Sequence, residues 1–391
     1  MVCAVAVTFV DETWTLMLTS DEALSCIEEF PACVHFQPLP DIEKIRIGND
    51  PASLAIIVQF IWKAKTILRT KRAIAISVRN CGKDVANAAL LVGCYLILCR
   101  QFTVDEVIEG ISPISSELLA FDEVTLAACL TSFYHATKIH WLRSIESSFP
   151  DDEKNPSSEI NPPAFDFHEY LHYHEPANGN FHLIIPRRLL VFHEPQCTFP
   201  GRAWEDIDGR RHFSAEYYAD LFHELNVRLI LRVVRANDKT ELYSPTIFTK
   251  YGIAVEDLML DGTRPSVLQS LDRFLAILRQ TPGAVAVHGG TEGLGDAEAL
   301  IAACLSCCCG FTPPAAVAWL QMAHQTTGAG RRRAPPLPSG RAPRPAMAEA
   351  DSRLAIERAG WEDEAPSRAL GPRGGDAALP ERPKQACFRC P

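Results

Sequence analysis

No stretch of this 391-residue sequence is both long enough and unbroken enough in apolar residues to be expected to cross a membrane. The run Ala86–Cys99 has 14 residues, where a spanning helix needs about 20, and it reads as a core helix. A longer run, Ala299–Leu320, is interrupted by Pro313 and Pro314, which fits two packed helices. A basic leader is also lacking. The chain starts MVCAVAVTFVDETW, apolar and then acidic, which reads as a first strand and not as a secretory signal. Without such a signal the 14 cysteines are expected as reduced thiols in the cytosol or nucleus, not as a disulfide framework. Positive charge is in deficit too. The formal net charge is −10, and residues 327–391 hold 12 Lys and Arg against 8 Asp and Glu, leaving 26 against 40 in the rest. An acidic body argues against nucleic acid and for cationic or peptide partners. With 47% hydrophobic and 22% charged residues, the chain is neither wholly disordered nor a collagen or coiled coil. Its length suggests two or three domains.

Residues 1–150 alternate between strand-like and helical patterns. Ala4–Phe9 and Ala73–Val78 read as strands, Leu54–Leu68 and 86–99 as helices, and Leu118–Ile145 as mostly helical. Residues 151–164 form a polar, Pro-containing linker. A second α/β unit follows. Its expected strands are Phe181–Ile185, Leu189–Phe192, Leu229–Val234, Glu256–Leu260 and Ala284–His288, the last the most buried. Its expected helices are Ala215–Leu225, Ser266–Arg279 and Ala297–Cys309. Beyond about Thr326 the composition turns to Pro, Ala, Arg and Gly, with 10 of the 28 prolines in 65 residues, and disorder is expected.

Two metal patterns are weighed and set aside. His168-Glu169-Tyr170-Leu171-His172 is a formal HExxH, whose histidines could share a zinc from one helix face. The third ligand is unconvincing: the longer metzincin pattern needs Gly where Glu175 stands, and Glu194, at a plausible distance, is followed by Pro195, in a loop or strand end. A solvated linker helix is the simpler reading. The pairs Cys304/Cys307 and Cys387/Cys390 could together supply four thiolates. The first lies in the apolar run LIAACLSCCCG, where buried thiols are ordinary core residues, and the second in the tail. No metal and no cofactor is expected.

The informative segment is Gly283–Cys304, GAVAVHGGTEGLGDAEALIAAC. An apolar strand ends at His288, a glycine-rich loop follows, and a helix begins. That order makes an anion cradle, because free N–H groups and the positive end of the helix dipole face one point. A dinucleotide fingerprint is excluded by Glu298 where Gly is required, and a nucleoside-triphosphate loop by the lack of a following Lys.

The strand-end AVAVH, the GLG of Gly293, Leu294 and Gly295, and the ALIA of the helix resemble, in that order, the signature loop of the Cdc-fourteen type of dual-specificity phosphatases, the mitotic-exit family. That loop reads roughly AVH-C-KAGLG-R-TGTLIA. Leu260–Pro265 (LDGTRP) resembles the family's IDGSTP acid loop. Phe165–Ile185 resembles its linker helix through Glu169–Tyr173, and Asn226–Arg232 resembles a strand reading NVTAVVR. Val85–Leu91 (VANAALL) resembles RANAAFL of the inactive N-terminal half. The resemblance covers about residues 1–325. It implies an α/β fold of two tandem dual-specificity-phosphatase-like domains joined by a linker helix, followed by the disordered C-terminal tail. The implied domains are 1–150, phosphatase-like without a catalytic centre; 151–178, linker and linker helix; 179–326, the C-terminal phosphatase-like domain; and 327–391, the tail.

Such phosphatases need Cys-x5-Arg. The thiolate at the helix N-terminus attacks phosphorus, and the arginine holds two phosphate oxygens. Here Gly289 stands at the nucleophile position and Asp296 at the arginine position. One extra residue separates His288 from Gly293, and no Cys or Arg occurs in 285–300. The one Cys-x5-Arg in the chain, Cys94–Arg100, lies in the expected buried helix of the first half. Glu292 and Asp296 put carboxylates where a phosphate dianion would sit, and one like-charge pair at 4 Å costs about 4 kcal/mol at an effective dielectric of 20. The family's Arg-Pro-Gly and Gln segment is replaced by Ala323–Gly330 (AHQTTGAG). Asp261, whose family counterpart protonates the leaving group, is retained, either as a turn residue or as the trace of an active ancestor.

The expected function is therefore a silent member of the family, a pseudophosphatase acting by protein binding. The resemblance implies partners phosphorylated at Ser-Pro sites with basic residues nearby; the acidic charge and the short or broken apolar runs argue for no nucleic acid and no membrane. An active Ser/Thr/Tyr phosphatase of the cell cycle would require residues 285–300 to be an error of sequence or gene prediction. A zinc peptidase on His168 and His172 is a distant alternative.

Overall fold

The computed structural model describes residues 5–8, 14–19, 33–36, 50–69, 73–79, 82–112, 114, 119, 121–143, 145, 164–195, 201–207, 210–235, 243–260, 264–289 and 296–324. The side chains of 5–8, 14–19, 33–36, 73–79, 82–83, 210, 264–267 and 296 are not among them. Most of the expected linker and the whole of the tail lie outside the described residues.

The first half holds strands β1 (Val5–Thr8), β2 (Trp14–Thr19) and β3 (Cys33–Phe36), then helix α1 (Leu54–Leu68), strand β4 (Ala73–Arg79) and helices α2 (Gly82–Arg100), α3 (Val104–Ile111) and α4 (Leu126–Lys138). The sheet order is β1-β2-β4-β3, antiparallel only between β1 and β2. Helix α1 starts at Leu54 because the Ser53 side chain accepts the Ile56 N–H, and its Leu54, Ile57, Val58 and Ile61 are buried. Helix α2 is buried from Val85 to Leu98. Its one buried polar group, Asn87, is matched by accepting the Ala52 N–H at 2.6 Å and donating to the Asp50 carbonyl at 3.3 Å. Gly93 lets α2 approach closely, since a Cβ there would lie 2.7 Å from Leu130 and 2.9 Å from Val107. Within Leu118–Ile145, expected to be mostly helical, the α-helix is α4. It begins after the Thr125 N-cap and ends at Lys138, where His140 takes a φ of +64° outside helical space.

The second half contains α5 (Phe167–His174), a 3-10 turn (Pro176–Asn178), β5 (Phe181–Ile185), β6 (Leu189–Phe192), the hairpin β7 (Trp204–Ile207) and β8 (Arg210–Phe213), α6 (Ala215–Glu224), β9 (Val227–Arg235), α7 (Thr246–Thr249), β10 (Ala254–Leu260), α8 (Arg264–Gln280), β11 (Ala284–Gly289), α9 (Asp296–Cys309) and α10 (Pro313–Ala323). The five-stranded sheet has the order β10-β9-β11-β6-β5. It is parallel except for the edge strand β5. Every residue of β11 is buried, as the unalternating AVAV run demands of a central parallel strand. Successive residues feed opposite cores: Val285, Val287, Leu229 and Leu231 face one, and Ala286, Ile230, Leu190 and Tyr218 belong to the other. The turn into β11 is set by Gly283, with a φ of +129° and its Cα face against the Asn226 carbonyl. Arg188 ties that turn down, donating to the carbonyls of Leu278, Thr281 and Gly283.

Helix α5 is not a solvated linker. Phe167 and Tyr170 are buried, and the Tyr170 hydroxyl donates to the Ala323 carbonyl at 3.1 Å. Around it Trp141, Phe165, Phe311 and Trp319 form one aromatic cluster, with ring centres 5.5–6.0 Å apart. Helix α10 begins after Thr312 with Pro313 and Pro314 in its first turn, so the proline pair separates two helices as expected.

Candidate active site

The crossover order places β11 between β6 and β9, although it comes last of the five in the chain. In open α/β sheets the crevice at such a reversal, beyond the carboxyl ends of the strands, is where ligands bind. Strand β11 ends there with His288 and Gly289, and α9 begins at Asp296. Gly293, Leu294 and Gly295, with the rest of loop 290–295, and Asp261 lie outside the described residues. Of Asp296 the backbone is described, as the first residue of α9, but not the side chain.

His288 is buried and fully engaged. Its Nδ1 lies 2.8 Å from the Gly289 carbonyl oxygen and its Nε2 2.7 Å from the Tyr243 hydroxyl. A carbonyl can only accept, so Nδ1 carries the proton and Nε2 accepts from Tyr243. The ring is the neutral imidazole. Burial pushes its pKa down to about 4, the Gly289 hydrogen bond opposes this, and Arg232 adds to the lowering. Phe192 covers the ring edge-on at 5.0 Å. A neutral, spoken-for imidazole positions the strand end and offers an incoming anion no charge.

Register sets a charged row beside it. His288 pairs with Arg232 on β9, and Arg232 pairs with Asp257 on β10. Arg232 holds Asp257 through two hydrogen bonds, 2.5 and 2.9 Å, and its guanidinium lies 5.7 Å from the Tyr243 ring. This bidentate pair commits the arginine's fork. Tyr243, Arg232 and Asp257 escape sequence reading. For Arg232 and Asp257 the one sequence signal is a charge interrupting an apolar strand, in RLILRVV and VEDLML; Tyr243 lies in neither segment.

A model of the N-terminal half of dual specificity protein phosphatases matches residues 48–148. Dual specificity protein phosphatase CDC14AB of Danio rerio is 31% identical over 278 residues, covering 70% of this chain and 42% of that protein. CDC14A of Homo sapiens is 32% identical over 243 residues, 61% of this chain and 37% of its own. CDC14B of Mus musculus is 28% identical over 284 residues, 70% and 53%. The chain belongs to the CDC14-type dual-specificity phosphatase family. It spans about half or less of the length of these relatives. Among solved structures, Tk-PTP in its active form superposes with a TM-score of 0.26 at 16% identity, over 46% of this chain and 95% of its own, too loosely to add to the topology.

In this CDC14-type chain the two other candidate patterns fall away from the strand end. The HExxH histidines lie on α5, where His168 stacks on Trp62 at 5.3 Å and His172 faces Asn178. No group of three or more His, Cys, Asp or Glu able to hold a metal occurs among the described residues. Cys94 is buried inside α2, where burial pushes its thiol well up, so Cys94–Arg100 supplies no thiolate. The reading of Cys304 and Cys307 as core filler holds for one only: Cys304 is buried and Cys307 exposed. Cys387 and Cys390 lie outside the described residues. No helix among the described residues is long and apolar enough to cross a membrane.

Proposed function

We propose that this chain is a catalytically silent CDC14-type homologue, a pseudophosphatase that acts by binding proteins. The observation that carries the proposal is the end of β11: the strand delivers His288 and then Gly289, and no Cys or Arg lies in 285–300. A glycine has no nucleophile to offer phosphorus, and Asp296 in place of arginine repels a phosphate dianion. We assign the loop His288, Gly289, Gly293, Leu294 and Gly295 as the remnant of the phosphate cradle, and Asp261 as the retained acid-loop residue. The proposed arrangement is two tandem phosphatase-like domains, 1–150 and 179–326, joined by the linker and linker helix 151–178. Its proposed ligands are intracellular proteins with Ser-Pro segments flanked by basic residues, which suit the acidic charge outside residues 327–391.

The test is hydrolysis of a small aryl phosphate by the purified chain. Turnover should not exceed the blank. Turnover that disappears in Asp261→Ala would overturn the proposal and return the chain to the active enzymes of its family.

A further inference from the structure

We infer that the β7–β8 hairpin is the docking site of this chain's own segment 331–345, whose prolines pack on the exposed Trp204 ring while its arginines face the carboxylates of α6. The inference stands apart from the proposed function, because it uses none of the residues 288–296 and does not depend on whether the chain hydrolyses phosphate.

The hairpin belongs to neither of the larger sheets. Trp204 and Ile207 of β7 are 46% and 40% exposed, which makes them two of the four exposed large apolar residues among those described. The Trp204 ring is nevertheless held still. The Arg211 guanidinium lies 5.1 Å from its centre, and the same group donates to both carboxylate oxygens of Asp206 at 2.9 and 3.1 Å and to the Ala177 carbonyl at 3.2 Å. Beside the hairpin, the half-buried Tyr217 stacks on Phe213 at 4.5 Å and donates its hydroxyl to the Asn178 carbonyl at 2.9 Å. A fixed, exposed aromatic offers contact area at little ordering cost. Such surfaces suit proline-rich segments, which are extended before they bind.

Charge and reach select the occupant. Segment 331–345 reads RRRAPPLPSGRAPRP, with five arginines, five prolines and no acidic residue. Helix α6 abuts the hairpin, since the Ser214 N–H donates to the Ala203 carbonyl at 2.9 Å. Its Glu216, Asp220 and Glu224 are exposed and recur at every fourth position, so they share one face. The hairpin's arginines have carboxylates of their own: Asp206 holds Arg211, and Glu205 lies 3.9 Å from Arg202. The face is therefore acidic where the segment is basic. The segment also starts close by. Ala323, the last residue of α10, accepts from the Tyr170 hydroxyl of α5. The next residue, His324, packs its ring 4.8 Å from His182, which lies 5.0 Å from His174 at the end of α5. Three residues on, at most about 11 Å of chain, Ala177 takes the Arg211 hydrogen bond. Seven residues separate His324 from Arg331, up to about 25 Å of extended chain, which covers that path. A tether this short sets a millimolar effective concentration, so a Kd of about 0.1 mM is enough to keep about nine chains in ten docked.

The experiment is limited trypsin digestion of the full chain at neutral pH, with cleavage after Arg331, Arg332 and Arg333 followed by mass spectrometry. Cleavage there should be about tenfold slower in the parent chain than in Trp204→Ala. A second variant, Pro335→Ala with Pro336→Ala and Pro338→Ala, leaves residues 1–326 untouched and should lose the protection to the same extent. Glu216→Gln with Asp220→Asn should lose part of it, and 0.5 M salt should do the same in the parent by screening. Equal cleavage rates in the parent, in Trp204→Ala and in the proline variant overturn the inference. Protection that grows with chain concentration also overturns it, because the segment then docks on a second copy.

Discussion

His288 shows how one residue can serve the fold and withhold chemistry. Its two nitrogens are used, one by the Gly289 carbonyl and one by Tyr243, and it lies among Phe192 and Tyr243 with its pKa down to about 4. It is not alone. His174 is also pushed down to about 4 by burial, and His182 lies well below its usual value through burial and then the neighbouring His324 and His174. His174 and His182 share a hydrogen bond of 3.1 Å between their Nδ1 atoms. All three are neutral in the folded chain and titrate near 6.5 once unfolded. The unfolded chain therefore binds more protons below about pH 6.5, down to about pH 4 for His174 and His288, and stability is complete above that window and lost as pH falls through it. For His174 and His288, a shift from 6.5 to about 4 is worth about 3 kcal/mol each at the low end. Between pH 7 and pH 5 the urea midpoint should drop markedly, while most carboxylates stay ionised. His174→Gln should make the drop shallower. A midpoint that does not change over this range would contradict the buried, neutral assignment of these rings.

At the scale of elements, strand β11 and helix α9 follow one another in the order an anion cradle requires, and the Cys and Arg such a cradle needs are missing from the sequence between them. Restoring them tests how far the departure reaches. The variant deletes Gly290, carries Gly289→Cys and Asp296→Arg, and carries Glu292→Ala. The deletion restores the family spacing between His288 and the Gly293–Gly295 turn. A bidentate arginine contributes about 1.5–3 kcal/mol as a charged hydrogen bond, and removing two carboxylates relieves repulsion of similar size. Tungstate or phosphate should then bind at millimolar level or better in calorimetry, where the parent chain should show no binding. A folded variant that still ignores oxyanions moves the fault to a second place, with Ala323–Gly330 the first suspect. The elements of this unit are legible in sequence to the extent that their apolar pattern is. Helix α1 runs Leu54–Leu68 as its apolar stripe indicates, and β11 is read nearly to the residue because AVAV is buried on both faces. Helix α3 was legible and missed: Thr103 and Glu106 form a reciprocal capping box ahead of Val107. The β7–β8 hairpin was not legible, since WEDI and RRHF show no alternation and Trp204 and Ile207 stay exposed. At the site, His288 and Gly289 were found through the loop pattern. Tyr243 was not, because its contact with His288 spans 45 residues and depends on sheet register.

At the scale of the molecule, the described residues fall within one compact unit, Met1–Ala346. The core explains why. A single buried cluster runs from α1, α2 and α4 of the first half to one face of the five-stranded sheet and to α9 and α10 of the second. Trp319 is the centre of that junction. It is fully buried, its indole N–H donates to the Ile184 carbonyl at 3.0 Å, and its ring packs on Trp141 of the first half as well as on Phe165 and Phe311. Two halves that share a core are expected to unfold together, since neither can expose its side of the cluster without exposing the other's. Trp319→Ala should cost about 3–5 kcal/mol through the cavity it leaves. The informative measurement is where that cost appears. Hydrogen exchange in the slowest amides of α2 and of β9 reports on the two halves separately, and both should speed up by about 100-fold or more, the factor that a loss near 3 kcal/mol implies. Acceleration confined to β9, with α2 as slow as before, would mean that the halves open independently and that the aromatic junction only decorates the boundary between them.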